Sequence, residues 1–398
     1  MRRRDLLTAA AAAPLALAQP RRKRIACLSS TYHVRSHSDN FITRFLEGYW
    51  IQDDYHAPPF DAVSLWMDQI HPADIGHRLG QAYNVPVVKS IADALTLNTG
   101  KLAVDGVVMV CEHGNYPHNE RNQQLYPRYE FFEQVVKVFK SSGRSCPVFT
   151  DKHLSYDWTK AKQMFDWSHE LKFPLMAGSS VPVTFRRPEY DPVLGTEMDS
   201  ALSVGGGWVA DGGIFHILET LQSFVERRKG GESGVRWVQM LKGAEVWKAA
   251  EQGLWKRELL DAALARREKP RSDKRPEEMQ SVLGLVEYND GFRGAVLALN
   301  EVSEYLVAVK PKGKSPEATL CYIPTENSNN FSMLVHGITQ MISTGKPPYA
   351  VDRTLLVSGA LASLMDSGYQ SGKRIETPHL KVSYKAHQKS WYAPGVGS

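Results

Sequence analysis

Five short apolar runs punctuate the first 150 residues, at 25–28, 61–67, 85–88, 104–110 and 146–149. Each is nearly continuous rather than alternating, the pattern of strands buried on both faces of a parallel sheet. Helical periodicity lies between and after them. Residues 129–140 place Phe132, Val135, Val136 and Phe139 on one face, at three- and four-residue spacing. Asp157 is placed to cap a helix running through Leu171, with Ala161, Met164, Phe165 and Ser168 on one side. Alternating strands and helices predict a Rossmann-like, doubly wound α/β domain, whose ligands bind at the carboxyl ends of the strands. From about Leu175 the pattern changes. Runs at 181–185, 234–241, 282–288, 294–299 and 305–309 predict strands of an open, mainly antiparallel sheet, with Asn289-Asp290-Gly291 as a hairpin turn. The charged stretch 266–278, ten charged residues and two prolines, reads as a surface loop.

The 398 residues suit two domains, and 42% hydrophobic content with 23% charge excludes a disordered chain. No stretch reaches the roughly 18–20 apolar residues of a membrane span. The net charge of +5 suggests nucleic acid until its source is examined. Arg2, Arg3 and Arg4 precede Asp5, two leucines and an Ala/Leu-rich run ending Ala16-x-Ala18, the form of a cleaved export signal. The arginine pair resembles a twin-arginine leader, so the protein is expected to use that export machinery and to be periplasmic or otherwise exported. An ordinary secretory signal is the alternative. Loss of residues 1–18 removes three Arg and one Asp and lowers the charge to +3, which leaves little support for a nucleic-acid partner. The four cysteines lack metal-site spacing and read as buried thiols, although an oxidising compartment permits a disulfide.

Several segments in order resemble the glucose–fructose oxidoreductase/inositol dehydrogenase (Gfo/Idh/MocA) family. Asp93-Ala94-Leu95 then Val104-Asp105-Gly106-Val107 is similar to its fourth strand and the helix before it. Thr150-Asp151-Lys152-His153 stands in place of its Glu-Lys-Pro motif, and Gly205-Gly206-Gly207, Asp211, Gly213 and His216 resemble its catalytic strand-to-helix segment. Glu287 to Gly291 and the last two helical stretches match its C-terminal architecture. Phrases such as Glu112-His113-Gly114 and Asp151-Lys152-His153-Leu154-Ser155 look like an exported branch of that family.

With the leader at 1–18 set apart, the resemblance implies a dinucleotide-binding domain at 19–150 and a substrate and oligomerisation domain at 151–380, followed by a tail at 381–398. It further implies an oxidoreductase acting on a sugar or polyol hydroxyl with a tightly held NAD or NADP, and a homo-oligomer packed through the C-terminal sheet. Lys152, His216 and Asp211 would be catalytic. The Asp211-to-His216 interval is five where the family has four, so Asp211 is the less secure equivalent. Glu112, His113 and Asp151 fall at strand ends and would face the cofactor. His153, Tyr126, Arg128 and Arg186 would bind substrate, or else form structural ion pairs. Asp68, after the second run, is placed to bond the adenine ribose and favours NAD.

The first loop departs from the family. A dinucleotide site wants Gly-x-Gly-x-x-Gly after strand one, whereas residues 28–37 contain no glycine. The hydroxyls of Ser29, Ser30 and Thr31, with Arg35, are the candidates for holding a phosphate there. A non-redox carbohydrate lyase, hydrolase or epimerase, or a non-catalytic carbohydrate-binding protein, are the competing readings. His33, His37 and Asp39 lie close in sequence, but no metal is expected, since paired histidines in a loop are weak evidence for one.

Overall fold

A computed structural model describes residues 21–206, 211–269, 273–324 and 329–395. The leader expected at 1–18 and Gly207 lie outside them. The parallel sheet is as expected in kind. Its order is Asp61–Met67, Arg24–Ser29, Gly106–Val110, Val148–Asp151 and Leu175–Gly178. Its central strands are buried apart from Arg24 at the start of the first, which is why their sequences show no alternation. The run at 85–88 is not a full strand. It touches the sheet through one bridge, Leu65 to Val87, because Pro86 has no N–H to donate and turns follow closely. The fifth strand comes instead from Leu175–Gly178, so this sheet continues past the boundary drawn at 150.

Helices Arg128–Ser142 and Trp158–Glu170 cover one side. The first buries Phe132, Val135, Val136 and Phe139, and the second starts at Asp157, whose side chain accepts from the Lys160 N–H. Phe165 is only partly buried.

The second sheet has eight strands, in the order Ile375–Glu376, Val235–Lys242, Ser281–Tyr288, Arg293–Leu299, Met198–Gly206, Tyr305–Pro311, Glu317–Tyr322 and Phe185–Arg187. All pairings are antiparallel except Arg293–Leu299 with Met198–Gly206. The 181–185 run gives only Phe185–Arg187, since Pro182 and a turn at Thr184 interrupt it. One face packs on helices Asp211–Val225 and Val351–Tyr369.

The sheet is open, with Ile375–Glu376 and Phe185–Arg187 as its edge strands, and its other face also carries helices. Helices Ala244–Glu251 and Arg257–Leu264 lie on it, burying Leu202, Leu283, Leu285, Leu297 and Leu306 against Val246, Trp255, Leu259 and Leu260. The chain's own helices thus pack on this face of the sheet. All four cysteines are buried and free.

Candidate active site

Three neighbouring strands of the parallel sheet end at one edge and deliver polar groups there. Glu112 follows Gly106–Val110, Asp151 ends Val148–Asp151 with Lys152 next, and Ser179 follows Leu175–Gly178. Helix Asp211–Val225 starts above this edge and brings Asp211 and His216 in its first turns. Lys152 has a left-handed backbone, φ 63°, and its N–H reaches Gly178 O at 3.2 Å. A non-glycine residue there costs of order 1–3 kcal/mol, a strain that clusters at functional sites. His113, after the adjacent strand, shares it at φ 68°. The two turns aim their side chains into a cavity of about 350 Å³, walled also by His37, Tyr126, Arg128, His153 and Tyr305.

Lys152 is the hub. Its Nζ lies 2.9 Å from His216 Nε2 and 3.3 Å from Glu112 Oε1. Because Nζ donates, Nε2 is the accepting nitrogen and Nδ1 carries the proton. Nδ1 lies 2.6 Å from Ser179 Oγ, which also accepts from the Val181 N–H at 3.0 Å. Lys152 thus sets the tautomer, and the Ser179 hydroxyl accommodates it. Burial, then the positive charge of Lys152, holds the His216 imidazole well below its ordinary pKa, so it is a neutral acceptor. Burial works to raise the Glu112 carboxyl, but Lys152 and Arg128 outweigh it and hold it well below the usual range. Burial raises Asp211, whose Oδ1 accepts from the Gly212 N–H at 2.8 Å. Burial, then His37, lowers His113 to about 4. A hydroxyl placed on Lys152 can lose its proton to Nζ while Nζ passes one to His216 Nε2, a relay suited to acid–base catalysis.

Behind this front, Arg128 is fully buried, bonds Glu112 and reaches His153 Nε2 at 3.5 Å. Burial, then Arg128, lowers His153 strongly. Arg128 therefore supports Glu112 more than it meets a ligand. Arg186 does not join the cavity. It is buried between the Phe224 and Tyr392 rings and bonded to Asp191 and Tyr190 O. Asp151 is 2% exposed and bonds His37 Nδ1 at 2.7 Å, so it faces a side chain where a cofactor contact was expected. Sequence reasoning missed this pairing, as well as Ser179 and Tyr305. It also missed Glu219, whose carboxylate accepts from the Ser179 N–H and Thr354 Oγ1.

At the first loop, Ser29, Ser30 and Thr31 are at most 1% exposed. Ser29 Oγ bonds Thr31 O and Ser38 Oγ, and Ser30 Oγ bonds Glu112 O and His113 O. The helix that follows, His37–Glu47, is capped by Ser36 of the chain. These hydroxyls do not fit a phosphate cradle. Asp68 is exposed and accepts from Tyr116 Oη at 2.7 Å. Asp68 lies outside the Lys152 cavity and is the remaining candidate for a ribose contact, and Arg35 is an exposed cation of the first loop. Among the described residues no group of three His, Cys, Asp or Glu is arranged to hold a metal.

No protein-family profile matches this chain, and no curated protein is similar to it in sequence. Solved structures share its fold. GenD2 from gentamicin A biosynthesis, in complex with NAD, is 13% identical, with 89% of this chain and 96% of that one covered at a TM-score of 0.55. The myo-inositol dehydrogenase of Lactobacillus casei, in complex with NAD(H) and myo-inositol, is 12% identical, covering 89% and 97% at 0.53. A Gfo/Idh/MocA family oxidoreductase from Vibrio cholerae is 11% identical, covering 87% and 97% at 0.50. The likeness is one of fold: the chain has the two-domain architecture of Gfo/Idh/MocA oxidoreductases.

Proposed function

We propose that this chain is an oxidoreductase that oxidises a hydroxyl of a sugar or polyol, with NAD or NADP as the cofactor. The observation that carries the reading is the Lys152–His216 pair, held at the carboxyl edge of the sheet by Glu112 and Ser179. When bound, the nicotinamide supplies the hydride acceptor. Lys152 orients the substrate hydroxyl and takes its proton, and His216 receives a proton at Nε2. Glu112 balances the charge on Lys152, and Tyr126, Asp211 and Tyr305 complete a polar wall suited to a polyhydroxy ligand. The cavity volume sits at the small end of the roughly 300–1,000 Å³ of small-molecule sites. Asp68 favours NAD over the phosphorylated form. The arginine pair of the leader supports export by the twin-arginine route, which suits a protein that folds around a tightly held cofactor first.

The test is direct. Denatured mature protein is expected to release a nicotinamide nucleotide, seen by absorbance and mass. A protein that releases none, and that binds neither NAD(H) nor NADP(H) by calorimetry, contradicts the redox reading. The buried hydroxyls of Ser29, Ser30 and Thr31 favour a second reading in that event, a non-redox lyase, hydrolase or epimerase of carbohydrates using the same Lys152–His216 pair.

A further inference from the structure

His37 has no part in the reading above, yet its ring lines the same cavity. It opens helix His37–Glu47, immediately after the Ser36 cap that fixes the start of that helix. Its Nδ1 lies 2.7 Å from Asp151 Oδ2, and the Asp151 side chain is 2% exposed. A carboxylate only accepts, so Nδ1 carries the proton, and in the neutral ring the free lone pair is at Nε2. Nε2 makes no hydrogen bond among the described residues. The rings of Phe41 and Phe331 flank the imidazole at 6.3 and 5.1 Å between centroids, limiting its rotation. A rear nitrogen tied to a buried carboxylate and a front nitrogen left open is how a general base is set in place.

We propose that His37, positioned by Asp151, is a second acid/base group of this cavity, serving a different atom of the substrate from the one served by Lys152 and His216. Oxidising one hydroxyl needs one proton acceptor, which Lys152 and His216 already provide. A second one fits a sugar or polyol that also exchanges a proton at a neighbouring hydroxyl or at the carbon beside a carbonyl. The step balances without any co-reactant. Nε2 takes the proton, the imidazolium is held against the Asp151 carboxylate, and the same proton returns to product or to water. The inference rests on this cavity being the active site and is independent of whether a dinucleotide binds.

The test uses the full mature chain labelled with ¹⁵N-histidine, with the His37 signal assigned by its loss in His37→Gln. The neutral ring is expected to be protonated at Nδ1, with a low-field Nδ1 proton that disappears in Asp151→Asn. A neutral ring protonated at Nε2 overturns the proposal. In turnover of a panel of inositols and monosaccharides, His37→Gln is expected to lower kcat on the order of 100-fold with KM changed less than about threefold. Asp151→Asn should lower kcat in the same direction. Full kcat in His37→Gln, with Lys152→Ala inactive, overturns this inference alone. Full activity in both variants overturns the cavity reading itself.

Discussion

Two turns leave adjoining parts of one parallel sheet, and they differ in almost every respect. After Arg24–Ser29 the chain turns its hydroxyls inward, where Ser29 and Ser30 find partners within the protein. After Val148–Asp151 it turns Lys152 outward through a strained backbone, into a cavity that already holds Glu112, His113 and His216. The first turn has satisfied its polar atoms and has little left to offer a ligand. The second buries and crowds basic groups together, lowering the pKa values of three histidines, and holds a lysine against an imidazole. Ligand chemistry belongs where polar groups line a cavity, so the Lys152 edge carries the account and the first loop supports the fold.

This contrast can be broken at several points. The largest expected effect on stability is at Arg128→Met, which leaves the Glu112 carboxylate buried with one partner fewer. Removing one member of a buried pair costs roughly 3–5 kcal/mol, to be read from the urea midpoint. An unchanged midpoint would mean that Glu112 is hydrated and that the cavity is wetter than its burial indicates.

Glu219, behind Ser179, comes next. Burial raises its carboxyl to about 7. With the folded pKa above the unfolded one, the native state binds more protons between about pH 4.5 and 7. This group's contribution is therefore full at low pH and lost as pH rises through 7. Glu219→Gln, which mimics the protonated form, should be more stable than the parent at pH 8 by about 3 kcal/mol, with the gap closing by pH 4.5. Denaturation at both pH values checks it, and a pH-independent difference counts against the assignment. The smallest effect belongs to the first loop. Ser30→Ala should cost about 1 kcal/mol of stability for its hydrogen bonds and leave nucleotide affinity unchanged by calorimetry. A tenfold loss of affinity would show that these hydroxyls reach phosphate after all.

Much of the fold was legible because burial writes itself into the sequence. The runs at 104–110 and 146–149 lack alternation since both faces of their strands are covered. Asp157 stood where a cap must, and Asn289-Asp290-Gly291 turned the hairpin between Ser281–Tyr288 and Arg293–Leu299. Lys152, His216 and Asp211 were named by the family resemblance, Glu112 and His113 by their place after a strand, and all five line one cavity. The rest depends on contacts that no local pattern encodes. His37 meets Asp151 across 114 residues, and Ser179 meets His216 across 37. The available signals were slight: Ser36 before His37 as a helix cap, and Gly178-Ser179 directly after an apolar run. Arg186 misled because a buried cation between aromatic rings has the same sequence appearance as an anion-binding one. The two helices on the sheet's other face were not read from the sequence because each spans only 8 residues.

The central claim is that Lys152, paired with His216, moves the proton of a substrate hydroxyl. Its most direct test is turnover of inositols and monosaccharides with NAD or NADP by the parent protein and by Lys152→Ala. The account predicts a fall in kcat of about a thousandfold, with unchanged circular dichroism and nucleotide binding. A Lys152→Ala protein that turns over the same substrate at the parent rate contradicts it.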